Sequence, residues 1–174
     1  MKFRVLLLAV LISFCMLVYP AFTLDISSPA FNDGGFIPDN YTCTSYNLSP
    51  PLKWDDVPAG TESFALICDD PDAPFGTWVH WVIFNIPKDV RSLDENVLKV
   101  SHLDNGIMQG INSFGKFGYG GPCPPPGSAH HYFFKLYALD KNLRITGEIT
   151  GEKLISAIKG HILEETQLVG LYRR

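Results

Sequence analysis

The longest apolar blocks in the body of this chain are strand-length and bounded by turn residues. Residues 63–68 form a near-continuous apolar run behind the Pro58-Ala-Gly60 turn. Residues 78–86 are rich in aromatic and β-branched side chains and are closed by Pro87. Both patterns fit strands. Residues 132–139 form a third, ending in the Asp140-Lys-Asn142 turn. Residues 49–54 read as a short edge strand entered through prolines, and 106–111 as a weaker one. Residues 32–39 are turn-rich. Alternation over 78–86 puts Trp78, His80, Val82 and Phe84 on one face and Val79, Trp81 and Ile83 on the other. Both faces are apolar, which predicts a central strand. Short strands separated by Gly/Pro turns predict a mainly β domain, an antiparallel β sandwich.

One segment departs from the strand pattern. Leu154, Ile155, Ile158, Ile162 and Leu163 recur at helical spacing behind Thr150, a residue type that caps helix N-termini. This predicts a helix, modestly weakened by Gly151 and Gly160, that packs on the sandwich edge. Residues 168–172 read as a short returning strand.

The beginning of the chain follows another rule. Lys2 and Arg4 precede an uncharged apolar run over 5–18, short for a membrane span. Ala21-Phe22-Thr23 then offers small residues for cleavage. Residues 1–23 therefore read as a secretory signal peptide cut after Thr23, leaving one domain over 24–174 in the periplasm or outside the cell. Cys15 follows Phe14 rather than a small residue, which argues against a lipid anchor. Losing Lys2 and Arg4 moves the net charge from −4 to −6. An acidic domain without a Lys/Arg run is a poor partner for nucleic acid.

Three cysteines remain, so at least one is unpaired within the chain. Cys68 ends an apolar run and reads as a buried small hydrophobe. Cys43 and Cys123 lie in loop-like sequence and are the candidates for a disulfide in an oxidising compartment. Spacing alone does not establish the geometry such a bond needs.

Chemistry concentrates in two places. Asp69-Asp-Pro-Asp-Ala-Pro74 follows a buried strand, and its prolines restrict the residues before them, which splays the carboxylates apart. Either one aspartate points into a pocket or the segment is a self-capped turn. The second place is Gly118-Tyr-Gly-Gly-Pro-Cys-Pro-Pro-Pro-Gly-Ser-Ala-His-His-Tyr132, a stiff loop that runs into a strand. Alternation puts His130 and Tyr132 on one face and His131 on the other. His80 is either a satisfied core residue or the floor of a site. A metal would gather Asp70, His80 and His130, but the usual ligand spacings are missing. No serine or cysteine sits in a nucleophile elbow. An anion fits better: two imidazoles, the Tyr132 hydroxyl and the N–H groups of Gly120 and Gly121 can donate, the glycines as a nest. Asp70 would then hold an imidazole in its donor form.

At these residues the chain resembles the phosphatidylethanolamine-binding protein family, in its bacterial-type, Raf kinase inhibitor-like branch. The matching pieces are Pro38-Asp-Asn-Tyr-Thr-Cys43, Asn47-Leu-Ser-Pro-Pro-Leu-Lys-Trp54, Pro58-Ala-Gly-Thr61, the aspartate-proline motif and His80-Trp81. Phe114-Gly115, the Gly118–Tyr132 loop, Gly160-His-Ile-Leu163 and Leu168-Val-Gly170 complete the match. Thr44-Ser45-Tyr46 departs from the branch, whose members commonly carry an acidic residue and glycine there. The resemblance implies a large central antiparallel sheet, a smaller sheet and a C-terminal helix. It also implies an anion pocket built from Asp70, His80, His130 and Tyr132, with Gly120, Gly121 and Pro122 on the rim and Trp78 and Pro71 shaping the walls. Cis prolines are expected at Pro71 or Pro74. The implied function is binding of phosphate or a phospholipid head group, without a cofactor or catalysis, with kinases, proteases or other signalling proteins as possible targets. Two alternatives stand beside it: a surface-acting inhibitor using the 122–126 loop, and a metal-dependent hydrolase.

Overall fold

The computed structural model describes residues 23–174, so the segment read as a signal peptide lies outside the described residues except for Thr23. Nine strands and one helix form three layers. The small sheet has the order β1-β3-β6, with β1 (Asp25–Ser27), β3 (Leu52–Asp55) and β6 (Ser92–Leu93). The large sheet has the order β2-β9-β8-β4-β5-β7, with β2 (Gly35–Phe36), β4 (Ser63–Asp70), β5 (Trp78–Pro87), β7 (Met108–Gln109), β8 (His130–Leu139) and β9 (Ile162–Tyr172). All pairings are antiparallel except β2 with β9.

Two cores explain the apolar runs. Leu24, Ile26, Leu52, Trp54 and Leu93 of the small-sheet side pack on Phe64, Leu66, Trp81, Phe134 and Leu136. On the opposite face of the large sheet, Ala65, Ile67, Val82, Phe84 and Leu139 pack beneath the helix α1 (Gly151–Ile158). Every residue of β4 is buried because both its faces lie against a core. Each buried aliphatic or aromatic side chain contributes about 1.5–3 kcal/mol over its exposed state.

Several sequence expectations need correction. The segment read as an edge strand became β3, the middle strand of the small sheet. The 106–111 strand is only Met108–Gln109, because Asp104–Gly106 form a 3-10 turn with Asn105 at φ 62°. β5 is apolar on both faces but is not central: it is flanked outside only by β7, at Ile83 and Phe84. Its alternation also breaks. The β4–β5 register shifts between Cys68 and Asp69, where Cys68 faces Trp81 and Asp69 faces Val79, leaving His80 as an extra residue. A bulge of this kind re-aims side chains. His80 and Trp81 therefore both serve the small-sheet side, whereas Val82 and Phe84 face the helix.

The helix is shorter than its pattern. Thr150 caps it, its Oγ1 accepting from the Lys153 amide at 3.4 Å, and Leu154 and Ile158 are buried, but Ile155 is exposed. Gly160 takes φ +82° and ends the helix. Ile162 and Leu163 belong instead to β9, an eleven-residue strand paired along the whole of β8 rather than a short return over 168–172. The helix covers the face of the large sheet, not its edge, and precedes the last strand. Cys43 is bonded to Cys123, and Cys68 is a free, buried thiol. Burial, then Asp69 and Asp70, raises that thiol well above its ordinary value, so it is chemically inert in the fold. Among the described residues every peptide bond is trans, including those before Pro71 and Pro74.

Candidate functional site

Antiparallel pairing brings the end of β4 beside the starts of β5 and β8: Asp70 faces Trp78, and Asp69 faces Phe133. The chemistry-bearing residues therefore meet at one end of the large sheet. A cavity of about 220 Å³ opens there, lined by Asp70, His80, His130, Trp78, Phe114 and Phe75, with Ala73, Pro74, Cys123, Pro124 and Pro125 completing the walls.

Each aspartate of the motif has its own hydrogen-bond donor side chain, so the splaying has specific partners. Asp69 accepts from the Lys135 ammonium at 2.9 and 2.7 Å. Asp70, 3% exposed, accepts from His130 Nδ1 at 2.8 Å through Oδ2, and its Oδ1 accepts from the Asp72 amide at 2.9 Å. Asp72 accepts from His131 Nδ1 at 2.7 Å and from the His131 amide at 2.9 Å. Those two bonds hold the Asp72 carboxyl below its ordinary value. The consecutive histidines thus pair with different aspartates, and only the Asp70–His130 pair lines the cavity.

His80 is fixed by the loop opposite. Its Nδ1 lies 2.6 Å from the Gly120 carbonyl oxygen, and the Gly120 amide donates back to the His80 carbonyl at 2.9 Å. A carbonyl can only accept, so the Nδ1 carries the proton and Nε2 is left for the cavity. Burial holds the His80 imidazole below its ordinary value, against the opposing pull of the Gly120 carbonyl and Asp70. The ring stands edge-on to Phe114 and Tyr132, with centroids 5.5 and 5.2 Å away.

The glycines do a different job from the one expected. The Gly120 amide is committed to His80, and the Gly121 amide donates to Asn47 Oδ1 at 2.7 Å, so neither forms an anion nest. Their lack of a side chain is what matters. A Cβ on Gly120 would come within 2.7 Å of the Phe114 ring, and one on Gly121 would collide with the Tyr41 carbonyl and Thr42. Tyr132 also moves out of the ligand set: it is fully buried beneath His80, and its hydroxyl has no hydrogen-bond partner. Burial and then Asp70 push that phenol far above its ordinary value, so it stays protonated. Pro71 is exposed in the turn and Pro122 is buried with its carbonyl accepting from the Cys43 amide; neither lines the cavity.

Sequence reasoning missed Phe114 and Phe75 as wall residues. Phe114 was visible only as part of a motif. Asn112 places it, accepting from the Phe114 and Lys116 amides at 3.0 and 3.1 Å and donating to the Gly118 carbonyl at 2.8 Å. Phe75, 97% exposed at the mouth, was signalled only as an aromatic residue inside a Pro/Gly turn. Among the described residues no three His, Cys, Asp or Glu side chains are grouped to hold a metal ion.

A sandwich of this topology, with an aspartate–histidine pair and a second histidine at its strand ends, matches one family throughout. The model of the phosphatidylethanolamine-binding proteins fits residues 27–173, and the chain belongs to that family. Among its relatives, a UPF0098 protein of Methanothermobacter thermautotrophicus is 53% identical over 151 residues, which cover 87% of this chain and 99% of the relative. A UPF0098 protein of Aquifex aeolicus is 46% identical over 153 residues, covering 87% and 89%. Two solved structures share the fold. The homologue CT736 of Chlamydia trachomatis has a TM-score of 0.80 at 37% identity, over 88% of this chain and 99% of its own. YbcL of Escherichia coli, described as a new member of the mammalian PEBP family, has a TM-score of 0.81 at 31% identity, over 87% and 98%.

Proposed function

We propose that this chain is a non-enzymatic binding protein for a small anion, phosphate or the phosphate head group of a phospholipid, seated between His80 and His130. The observation that carries this reading is the convergence of two imidazoles on one cavity, each anchored through Nδ1. The two rings are not equivalent. His80 is neutral near pH 7, so its Nε2 accepts. His130 is held by Asp70 through Nδ1, and with a proton on each ring nitrogen it also donates from Nε2. A hydrogen phosphate matches both, one oxygen accepting from His130 and its O–H donating to His80. Sulfate carries no proton near neutrality and matches only the donor.

Phosphate is therefore expected to shift both histidine ring signals in NMR titrations at pH 7.5, with sulfate at least about tenfold weaker for want of one hydrogen bond to a charged ligand. The sign of the pH dependence follows from His80. Its folded-state value lies below the ordinary 6.5. A fully ionised anion favours the charged ring, takes up a proton on binding, and so gains affinity as pH falls through that lowered value. The phosphate preference should narrow as pH falls through that lowered value. Unmoved histidine signals at millimolar phosphate would remove the reading.

A second reading is recognition of a protein target by the surface around the cavity mouth. Phe75 is exposed there, as are Pro125 and Pro126 on the disulfide-tethered loop, and a stiff loop loses little entropy on binding. Under this reading, replacing Phe75 with serine and residues 124–126 with Gly-Ser-Gly abolishes capture of a partner from extracts. Unchanged capture counts against it.

A further inference from the structure

We propose that the cavity on the far side of Phe114 is a second binding site, which takes an anionic group carried on an apolar or aromatic body through Lys99 and Lys116. This cavity, of about 300 Å³, shares Phe114 and Cys123 with the histidine pocket but is otherwise built from different residues. Its polar side chains include both lysines and two asparagines, and no carboxylate lines it although the chain carries 18 acidic residues. Neither lysine is salt-bridged among the described residues. Two cations therefore share one concave wall with nothing negative opposite them, which is how a protein prepares for an anion rather than how it stabilises a surface.

The lysines are placed rather than loose. Lys99 Nζ donates to the Asn47 carbonyl at 2.8 Å, and the same asparagine holds the Gly121 amide through Oδ1. Gly118, at φ +80°, lets the loop pass so closely that a Cβ there would lie 2.9 Å from Lys99 Cα. Lys116 is set by the Asn112 clamp that also places Phe114. One Nζ donor of Lys99 is occupied, leaving two for a ligand. Partial burial, then the charge of Lys116, hold the Lys99 ammonium below its ordinary value, the strain a bound anion would relieve. Phe114, Phe117 and the buried Tyr119 supply the remaining walls, so the group attached to the anion meets aromatic surface.

The test is a pair of ¹⁵N–¹H NMR titrations of the purified protein, with phenyl phosphate and with inorganic phosphate. Phenyl phosphate should give saturable shifts at the Lys99, Lys116 and Phe117 amides, and should bind there more tightly than inorganic phosphate. Lys99→Met with Lys116→Met should weaken this set by at least about tenfold, the loss of charge-assisted bonds. Lys116→Met alone, whose side chain makes no hydrogen bond in the fold, should weaken it severalfold and guards against misfolding. His130→Ala combined with Asp70→Asn, which keeps the buried site free of a stranded charge, should leave the set in place, which separates this site from the proposed histidine pocket. The proposal falls if these amides do not move at millimolar phenyl phosphate, or if they move unchanged in the double lysine variant. It also falls if their shifts vanish in the Asp70→Asn, His130→Ala variant. Equal affinity for the two probes would overturn the apolar-body assignment.

Discussion

Replacing Cys43 and Cys123 with serine together is expected to lower the stability of the fold by about 4 kcal/mol, from the entropy of an unfolded chain no longer closed into a loop. The bridge spans 80 residues of sequence, long enough for that term to be near its upper range. The native geometry should survive the change, because other bonds join the same segments. The Cys43 amide donates to the Pro122 carbonyl at 3.0 Å, Tyr119 Oη to the Tyr41 carbonyl at 2.9 Å, and the Gly121 amide to Asn47. The effect therefore falls mainly on the unfolded state, and the steeper urea dependence of an expanded chain should accompany the lower midpoint. Against a typical total of about 5–15 kcal/mol, the loss decides whether the domain stays folded on warming. Urea unfolding of the oxidised protein, the double-serine variant and the reduced wild type measures it; the last two should coincide. A difference below about 1 kcal/mol between oxidised protein and variant would mean that the unfolded chain is already compact around this loop.

The strands were legible because their signal is local, and the failures fall where long-range pairing overrides the local pattern. The runs that became β4, β5 and β8 show their length and composition directly. The bulge at His80 does not show, because it arises from how Cys68 and Asp69 align with Trp81 and Val79 across the hairpin. Strict alternation consequently put His80 with Val82 and Phe84, which face the other core. The helix overran for a related reason. Ile162 and Leu163 fit the helical repeat, but ten paired positions between β8 and β9 outweigh the weak extension of a helix flanked by Gly151 and Gly160. In the site, residue types were readable and partners were not. That Asp70 takes His130 while Asp72 takes His131 depends on the register of β4 against β8, and nothing in the spacing encodes it. The glycine amides misled because a nest and a close-packed loop look alike in sequence. Only the observed bonds from Gly120 to His80 and from Gly121 to Asn47 tell them apart.

His130→Ala is expected to abolish the phosphate response and also to destabilise the fold, and the two losses have separable causes. Asp70 is 3% exposed, and its Oδ2 has His130 as its partner. Leaving a buried acceptor without its donor costs about 1–3 kcal/mol, and more for a charged group. Here the lower end applies, since the Asp72 amide still serves Oδ1 and the open cavity admits water to the orphaned oxygen. Adding Asp70→Asn should restore much of that stability, because an amide in the same volume carries no charge to strand. The double variant should nevertheless stay blind to phosphate, since the donor aimed into the cavity is gone. Thermal melts and phosphate titrations of the wild type, both single variants and the double variant close the cycle. Recovery of stability without recovery of binding would place the Asp70–His130 hydrogen bond in the fold and the free Nε2 in the function. Phosphate binding by His130→Ala at wild-type affinity would take His130 out of the site and leave His80 without a partner for the anion.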